Sequence, residues 1–574
     1  MSGDFNLDIL KLEENGVTLN FLNSLSSISL IPVITKPTRI TNHSATLIDN
    51  IFISHPINFN SGIIVTDISD HFPIFIHLKN VFFSTNDNLN NLNKKLEYRL
   101  LNDVTLSNFC QNISAYDFNE ILNSTDCNLA INQLTNIINN EYKSCCPLKS
   151  KTISYKRSIK PWISNEILTY IKKRHHYYVL LCKNIISKKT YNNYRNFVTN
   201  KIRASKKNYY EQKFNDARND IKKTWKIIND VLKPKNKKVK QSTSKIIHNN
   251  SIYENLNEIS DLFNDFFVNI GKNVTDSVEN HGPNDHKIYL NHVNQQNSFF
   301  LRPILPTEIN NIINSLKNKS SNIHTFSVKI LKLVSNIISI PLTDIINKSL
   351  TSGIFPDSLK IAQVTPIHKE GDKNDLNNYR PISVLPIFSK IFEKVVYKQL
   401  YNYFETNLFL DNNQFGFRLN KSTTHAILNY MQYLYSSIDS GNIVFSIFLD
   451  FQKAFDSVDH KILLSKLHIY GIRGHALDWI QSYLSNRQQF VRINNINSNF
   501  KQISYGVPQG SILGPLLFLI FINDLTKCSN MFKHILYADD STLSTNFREC
   551  DLDENVRLIN IELHRIYKWL CANN

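Results

Sequence analysis

Two apolar runs in this chain end on aspartates, and that placement constrains its fold more than any other feature. Phe532 to Tyr537 leads into Ala538-Asp539-Asp540 and a polar turn, while Ile443 to Leu449 is an apolar stretch, continuous but for Ser446, closed by Asp450. Both runs read as strands, and the continuity of the second predicts a buried one. Acids at the ends of separate strands can converge on two divalent ions roughly 3.5–4 Å apart and leave positions open for a substrate phosphate. Solvated turn acids would leave unexplained why they terminate apolar strands.

At 574 residues the chain is too long for one core and predicts three or more folding units. A formal charge of +17 favours a polyanionic partner, nucleic acid first among them. The excess is local: Lys149 to Lys240 carries 26 Lys+Arg against 5 Asp+Glu, and the remainder of the chain is mildly acidic. Trp162, Tyr177, Tyr178, Tyr194, Tyr209, Tyr210 and Trp225 are interleaved with those lysines, which suits phosphate neutralisation with base stacking. The alternative is a solvated helical arm whose aromatics are core. Pro234 to Lys240 has the basic character of a nuclear-import signal.

The eight cysteines contain no Cys-x-x-Cys pair, so neither a zinc site nor a disulfide framework is expected. Met1 to Leu10 has no apolar leader core, and the longest apolar run, Ile512 to Ile522, is too short to span a bilayer. An intracellular, soluble protein with no membrane partner is expected.

Residues 1–79 predict short β-rich pieces, residues 82–110 an Asn-rich linker, and 111–240 helices that become strongly basic. Beyond about 256, Leu262, Phe263, Phe266, Phe267 and Ile270 form one helical face with Gly271 as its C-cap. Ile309, Ile312, Ile313 and Leu316 mark a second helix after Pro306.

Five segments then follow in order: TPIHKEGDKNDLNNYRPISVL, NQFGFRLNKST, FLDFQKAFDSVDH, GVPQGSILGPLLF and LYADDSTL. Together they resemble the reverse transcriptases of non-LTR retrotransposons of the Jockey and long-interspersed-element kind. The resemblance implies an α+β multidomain chain whose residues 356–574 form the fingers and split βαβ palm of a right-hand polymerase. Residues 256–355 would be its helical N-terminal extension, and 80–255 a linker and basic helical region. Asp450 and Asp539 would bind both Mg²⁺ ions, with Asp540 supporting the second. Lys369 and Arg380 would clamp the β- and γ-phosphates of a deoxynucleoside triphosphate. Phe455 would exclude a ribose 2′-hydroxyl, and Gln509 and Gly510 would support the nucleotide and template base. The implied partners are an RNA template, a DNA primer or target and deoxynucleoside triphosphates. No oligomeric state follows from the sequence.

Gly3-Asp4-Phe5-Asn6, Asp49 in TLIDNIFIS and Ser69-Asp70-His71 resemble the last motifs of an apurinic-type endonuclease. The resemblance implies that residues 1–79 are the C-terminal remnant of such an α/β domain. Asp4 and Asn6 would contact the attacking water and the scissile phosphate, His71, oriented by Asp49, would bind a phosphate oxygen, and Asp70 would lie near the metal. Because Met1 falls just before GDFN, the remnant is expected not to nick DNA, and the stop after KWLCANN predicts an absent thumb. Ser320 to His324 also lacks the Gly-x-Asp pattern of relatives. The rival is a catalytically inactive nucleic-acid-binding remnant. A group II intron reverse transcriptase is disfavoured by the upstream GDFN and SDH motifs.

Overall fold

The computed structural model describes residues 1–573 apart from 12–14, 42–43, 55–58, 67–68, 79–92, 155–159, 219, 233–244, 249–250, 278–285, 292, 294–295, 297 and 318–325. The import-like run at 234–240 and the 320–324 segment therefore lie outside the described residues. Two compact units are present: Met1–Leu96 with Lys151–Lys238, and Glu97–Ser150 with Val239–Asn574. Among the described residues, no helix is long and apolar enough to cross a membrane.

In the first unit the N-terminal segment is β-rich, as its composition predicts. Ser2–Asp4 and Ile31–Pro32 flank Asp49–Ile53 in a three-stranded antiparallel sheet, and Phe59–Ile63 pairs with Ile74–Leu78. Val33, Ile34 and Leu47 are its buried centre.

The basic segment contains the helices Asn165–Cys182 and Lys188–Asp216, whose first turns are capped by Ser164 and Ser187. Its rings mostly pack on one another: Tyr177 on Tyr194 at 4.8 Å, Tyr178 on Tyr191 at 5.6 Å, and Trp162 on Tyr209 and Tyr210 at 5.8 and 5.6 Å. The buried residues of this helix pair are Ile167, Tyr191 and Val198, and the half-buried ring pairs extend that small core. Of the seven aromatics that the sequence offers for base stacking, Trp225 keeps its ring in solvent, at 59% exposure. The lysines remain at the surface.

The second unit holds the main core, which runs from Phe109 to Trp569. The expected linker ends earlier than its composition suggests. Asp103–Ala115 is a helix, capped by Asn102, whose Phe109 and Ile113 are fully buried in that core. Asparagine-rich polarity concealed an amphipathic stripe in which Leu106 and Cys110 also pack against that core.

Helix α1, Leu256–Ser277, does not stop at Gly271. A Cβ there would lie 2.5 Å from the Tyr505 Cβ and 2.7 Å from the Asp456 carbonyl oxygen, so this glycine serves close packing in mid-helix, not capping. Pro306–Ser315 is helical, and Ile309, Ile312 and Ile313 face the core.

Two sheets carry three of the five motifs. In the first, β1 (Ile361–His368) lies between β2 (Tyr379–Val384), antiparallel, and β4 (Arg487–Ile493), parallel. In the second, β6 (Asp540–Phe547) is central, with β3 (Ile443–Asp450) and β5 (Lys533–Tyr537) antiparallel on either side. Strand β3 is thus an edge strand and not the buried strand that its apolar run predicts: Ile443, Phe445 and Phe448 are 41, 38 and 70% exposed. Helix α2 (Ile387–Thr406), α3 (Thr423–Asp439), α4 (His460–Ile469) and α5 (Gly514–Ile522) pack around these sheets. The run that is too short for a bilayer becomes α5, buried at eight of its nine positions.

Candidate functional site

The register of the second sheet assembles the acids. Asp450 is the Cα partner of Asp540 across β3 and β6, and Tyr537 is the partner of Asp540 across β5 and β6. Ala538 and Asp539 therefore form a two-residue hairpin turn, with Ala538 at φ +56°. Residues 90 positions apart in sequence come to the same end of the sheet because an eight-residue ladder, Ile443↔Phe547 to Asp450↔Asp540, runs without a slip.

Asp450, Asp539 and Asp540 line one cleft of about 650 Å³, together with Lys369, Arg380, Phe455 and Gln509. Burial raises the Asp539 carboxyl above the ordinary carboxylate range; Asp540 and Asp450 push it further up, and Arg380 pulls it back. Three carboxylates lining one cleft offer the oxygen donors that hard divalent ions take, but their ligand atoms stand further apart than those of a closed ion-binding group.

The basic pair sits on the β1–β2 hairpin. Ile367 opposes Arg380, and the Lys369 N–H donates to the Asn378 carbonyl at 2.9 Å, so both cationic side chains share one face at the hairpin end. Phe455 stacks on Phe518 at 4.5 Å with 28° between the rings and meets Phe417 edge-on at 6.0 Å. It is both packed against the core and part of the cleft wall. Gly510, at φ +125°, brings its backbone against β2: a Cβ would fall 2.4 Å from the Ser383 carbonyl oxygen. Ser383 N–H donates to the Gln509 carbonyl at 2.8 Å, locking the loop to that strand.

Two cleft residues escaped the sequence reading. Lys453, in the left-handed region at φ +55°, has its ammonium 4.4 Å from the Phe266 ring centroid and 3.4 Å from Asn377 Oδ1. Asp456 accepts a 2.6 Å hydrogen bond from Gln509 Nε2. Burial pushes its carboxyl up to about 7, opposed by that hydrogen bond and by Lys453. The spacing of Lys453 and Asp456 from Asp450 in FLDFQKAFDSVDH was the available signal, but an isolated Lys or Asp is normally solvent-facing.

A folded-state pKa above the unfolded value of 3.8 stabilises fully below that value, and the contribution is lost as pH rises through about 7. Asp456→Asn is therefore expected to flatten the fall in urea midpoint between pH 4 and 8. It should gain up to a few kcal/mol over the parent at the alkaline end, since each tenfold change in proton affinity is worth about 1.4 kcal/mol. An unchanged pH profile would place the Asp456 carboxyl in water.

At the N-terminus, Asp4 and Asp49 are partners across antiparallel strands, and His71 Nδ1 lies 3.0 Å from Asp49 Oδ2 and 3.8 Å from Asp4 Oδ2. Among the described residues, this is the one group of three or more His, Cys, Asp or Glu whose ligand atoms gather closely enough for an ion. Asn6, at φ +52°, donates its N–H to Asp4 Oδ1 at 3.0 Å. Asp70 is not brought into the group. It pairs with Arg39 at 3.0 Å on the surface, and its own backbone N–H, with Arg39, holds its carboxyl below the usual range.

Comparison with known proteins agrees with the second unit. Residues 367–567 match the reverse transcriptase (RNA-dependent DNA polymerase) family. The chain is 32% identical over 268 residues to a "Probable RNA-directed DNA polymerase from transposon BS" of Drosophila melanogaster, covering 43% of this chain and 29% of that protein. It is 32% identical over 210 residues to the RNA-directed DNA polymerase from mobile element jockey of the same species, covering 35% and 23%. The jockey polymerase of Drosophila funebris is 30% identical over 225 residues, covering 39% and 24%. The chain thus spans less than a third of the length of these relatives. Matched segment, strand register and acid cluster coincide, and residues 367–567 form a reverse transcriptase domain of the non-LTR retrotransposon kind.

Proposed function

We propose that this chain is an RNA-directed DNA polymerase that extends a DNA 3′ end on an RNA template by two-metal nucleotidyl transfer. The observation that carries the proposal is the in-register pairing of Asp450 with Asp540 beside the Asp539 turn. In this reading the acid-bearing sheet is the palm, and the β1–β2 hairpin with Lys369 and Arg380 belongs to the fingers. Asp450 and Asp539 would hold both Mg²⁺ ions and Asp540 would support the second. Bound there, such ions lower the pKa of a primer 3′-hydroxyl and neutralise triphosphate charge. Lys369 and Arg380 orient the β- and γ-phosphates from the cleft rim, the guanidinium through paired charge-assisted bonds. Gln509, held by Asp456 and by the Ser383 backbone, fixes the floor on which the nucleotide rests.

Primer extension on poly(rA)/oligo(dT) with Mg²⁺ and dTTP tests the proposal. Incorporation supports it, and none from the folded chain identifies the inactive remnant. Phe455 lines the cleft, and in this reading its ring would meet a ribose 2′-hydroxyl. Phe455→Val is expected to weaken discrimination against ribonucleotides by about 10–100-fold, the scale of one lost steric contact in a pocket. Unchanged discrimination in that variant would make the ring a packing residue alone.

For the N-terminal segment, we infer kinship to an apurinic-type endonuclease domain. The convergence of Asp4, Asp49 and His71 supports this, with the Asp49 carboxylate orienting the imidazole.

A further inference from the structure

The hairpin turn that carries Asp539 is held from outside its own sheet by one buried side chain. Gln414 is 2% exposed, and its Oε1 accepts from the Ala538 N–H at 2.9 Å and from the Gly416 N–H at 2.8 Å. Its Nε2 points back at the Ala538 carbonyl at 3.5 Å. The amide thus brackets the peptide of a residue whose φ of +56° disfavours a side chain with a Cβ. The backbone beside it is tied to β5 as well: Phe415 N–H donates to Leu536 O at 2.8 Å and Leu536 N–H to Asn413 O at 2.9 Å. Gly416 lies so close that a Cβ there would be 2.3 Å from the Ala538 nitrogen.

This segment is anchored at both ends. Arg418 makes a forked pair with Glu405 at 3.0 and 2.7 Å, and Asp411 accepts from Thr526 at 2.6 Å and pairs with Lys527 at 3.1 Å. A rigid strut therefore reaches the turn through the Gln414 amide.

We propose that Gln414 is a positioning residue for the acid cluster: its amide sets the Ala538 peptide, and hence the direction in which Asp539 presents its carboxylate. The proposal rests on the polymerase reading for its kinetic consequence, but not for its binding consequence. Gln414→Leu keeps the bulk and removes both hydrogen-bonding functions, whereas Gln414→Glu keeps an acceptor for the two N–H groups. Mn²⁺ binding to the full chain, measured without substrate and corrected with Asp539→Asn, should weaken about 10–100-fold in the leucine variant, the range for residues that orient a metal ligand. The glutamate variant should stay closer to the parent than the leucine variant. If the parent extends primers, kcat should fall by a similar factor in Gln414→Leu with KM for dTTP little changed. Mn²⁺ affinity and kcat within twofold of the parent in a folded Gln414→Leu would overturn the proposal. So would equal losses in the leucine and glutamate variants. A parent that binds Mn²⁺ through Asp539 but extends no primer would defeat the polymerase reading and leave the positioning role standing.

Discussion

Asp539→Asn is expected to lower dTTP incorporation by at least about 10³-fold, since one charged group removed from a preorganised reaction centre costs roughly 3–4 kcal/mol or more of transition-state stabilisation. The same substitution should not weaken the fold. Burial and the neighbouring Asp540 and Asp450 raise the Asp539 carboxyl, so its ionised form is a burden on the metal-free protein. Whatever stability the protonated form contributes is present at acid pH and lost as pH rises through the raised value. At pH 8 without divalent ions, the urea midpoint of Asp539→Asn should equal or exceed that of the parent. Activity and stability moving in opposite directions is the signature of a ligand set kept for function at a cost to the fold. A variant that keeps incorporating nucleotide would remove Asp539 from the chemistry. One that unfolds early would make it a structural acid.

The largest stability effect is expected away from the cleft. Lys466 on α4 and Asp524, just beyond α5, are both fully buried, with Lys466 Nζ 2.6 Å from Asp524 Oδ1 and 2.7 Å from the Phe521 carbonyl oxygen. The ammonium also lies 4.9 Å from the Phe521 ring centroid and 5.1 Å from that of Trp569. Burial holds the Lys466 ammonium below the ordinary lysine range, and the Asp524 charge opposes that shift. Among the described residues Asp524 Oδ2 has no hydrogen-bond partner, so the carboxylate depends on this one cation. Lys466→Met should destabilise by about 3–5 kcal/mol because it strands a buried negative charge. Lys466→Met with Asp524→Leu should recover most of that loss, since a well-packed apolar pair often equals a buried ion pair. Urea midpoints of the two singles and the double decide the matter. A double variant as unstable as the singles would show that the pair does more than neutralise itself.

Local structure was legible where periodicity was strong. The strands ending at Asp450 and Tyr537, the stripe Ile309, Ile312, Ile313 and the helix through Phe263 and Phe267 all occur where their apolar spacing places them. The departures share one cause: composition reports which residues are apolar, not how many neighbours surround them. The run closing on Asp450 is an edge strand because β6 pairs with it on one side and, among the described residues, no strand covers the other. Gly271 has the look of a helix end, yet the helix continues because Tyr505 and Asp456 leave no room for a side chain. In the aromatic arm, six of the seven rings lie against each other or a neighbouring tyrosine while staying half-exposed, an arrangement that composition does not show.

By itself the sequence determined the chemical inventory: three acids at strand ends, two cations after TPIH and before PISV, a ring five residues past Asp450, and an arm of concentrated positive charge. Those are properties of residue type and short-range order, which hydrophobic periodicity and turn chemistry express directly. Only the tertiary structure decided that Asp450 faces Asp540, that Gln414 grips a peptide 124 residues away, and that Lys466 finds Asp524 across 58. Such pairings depend on strand register and close packing, where a shift of one residue would turn the same side chains to the opposite face.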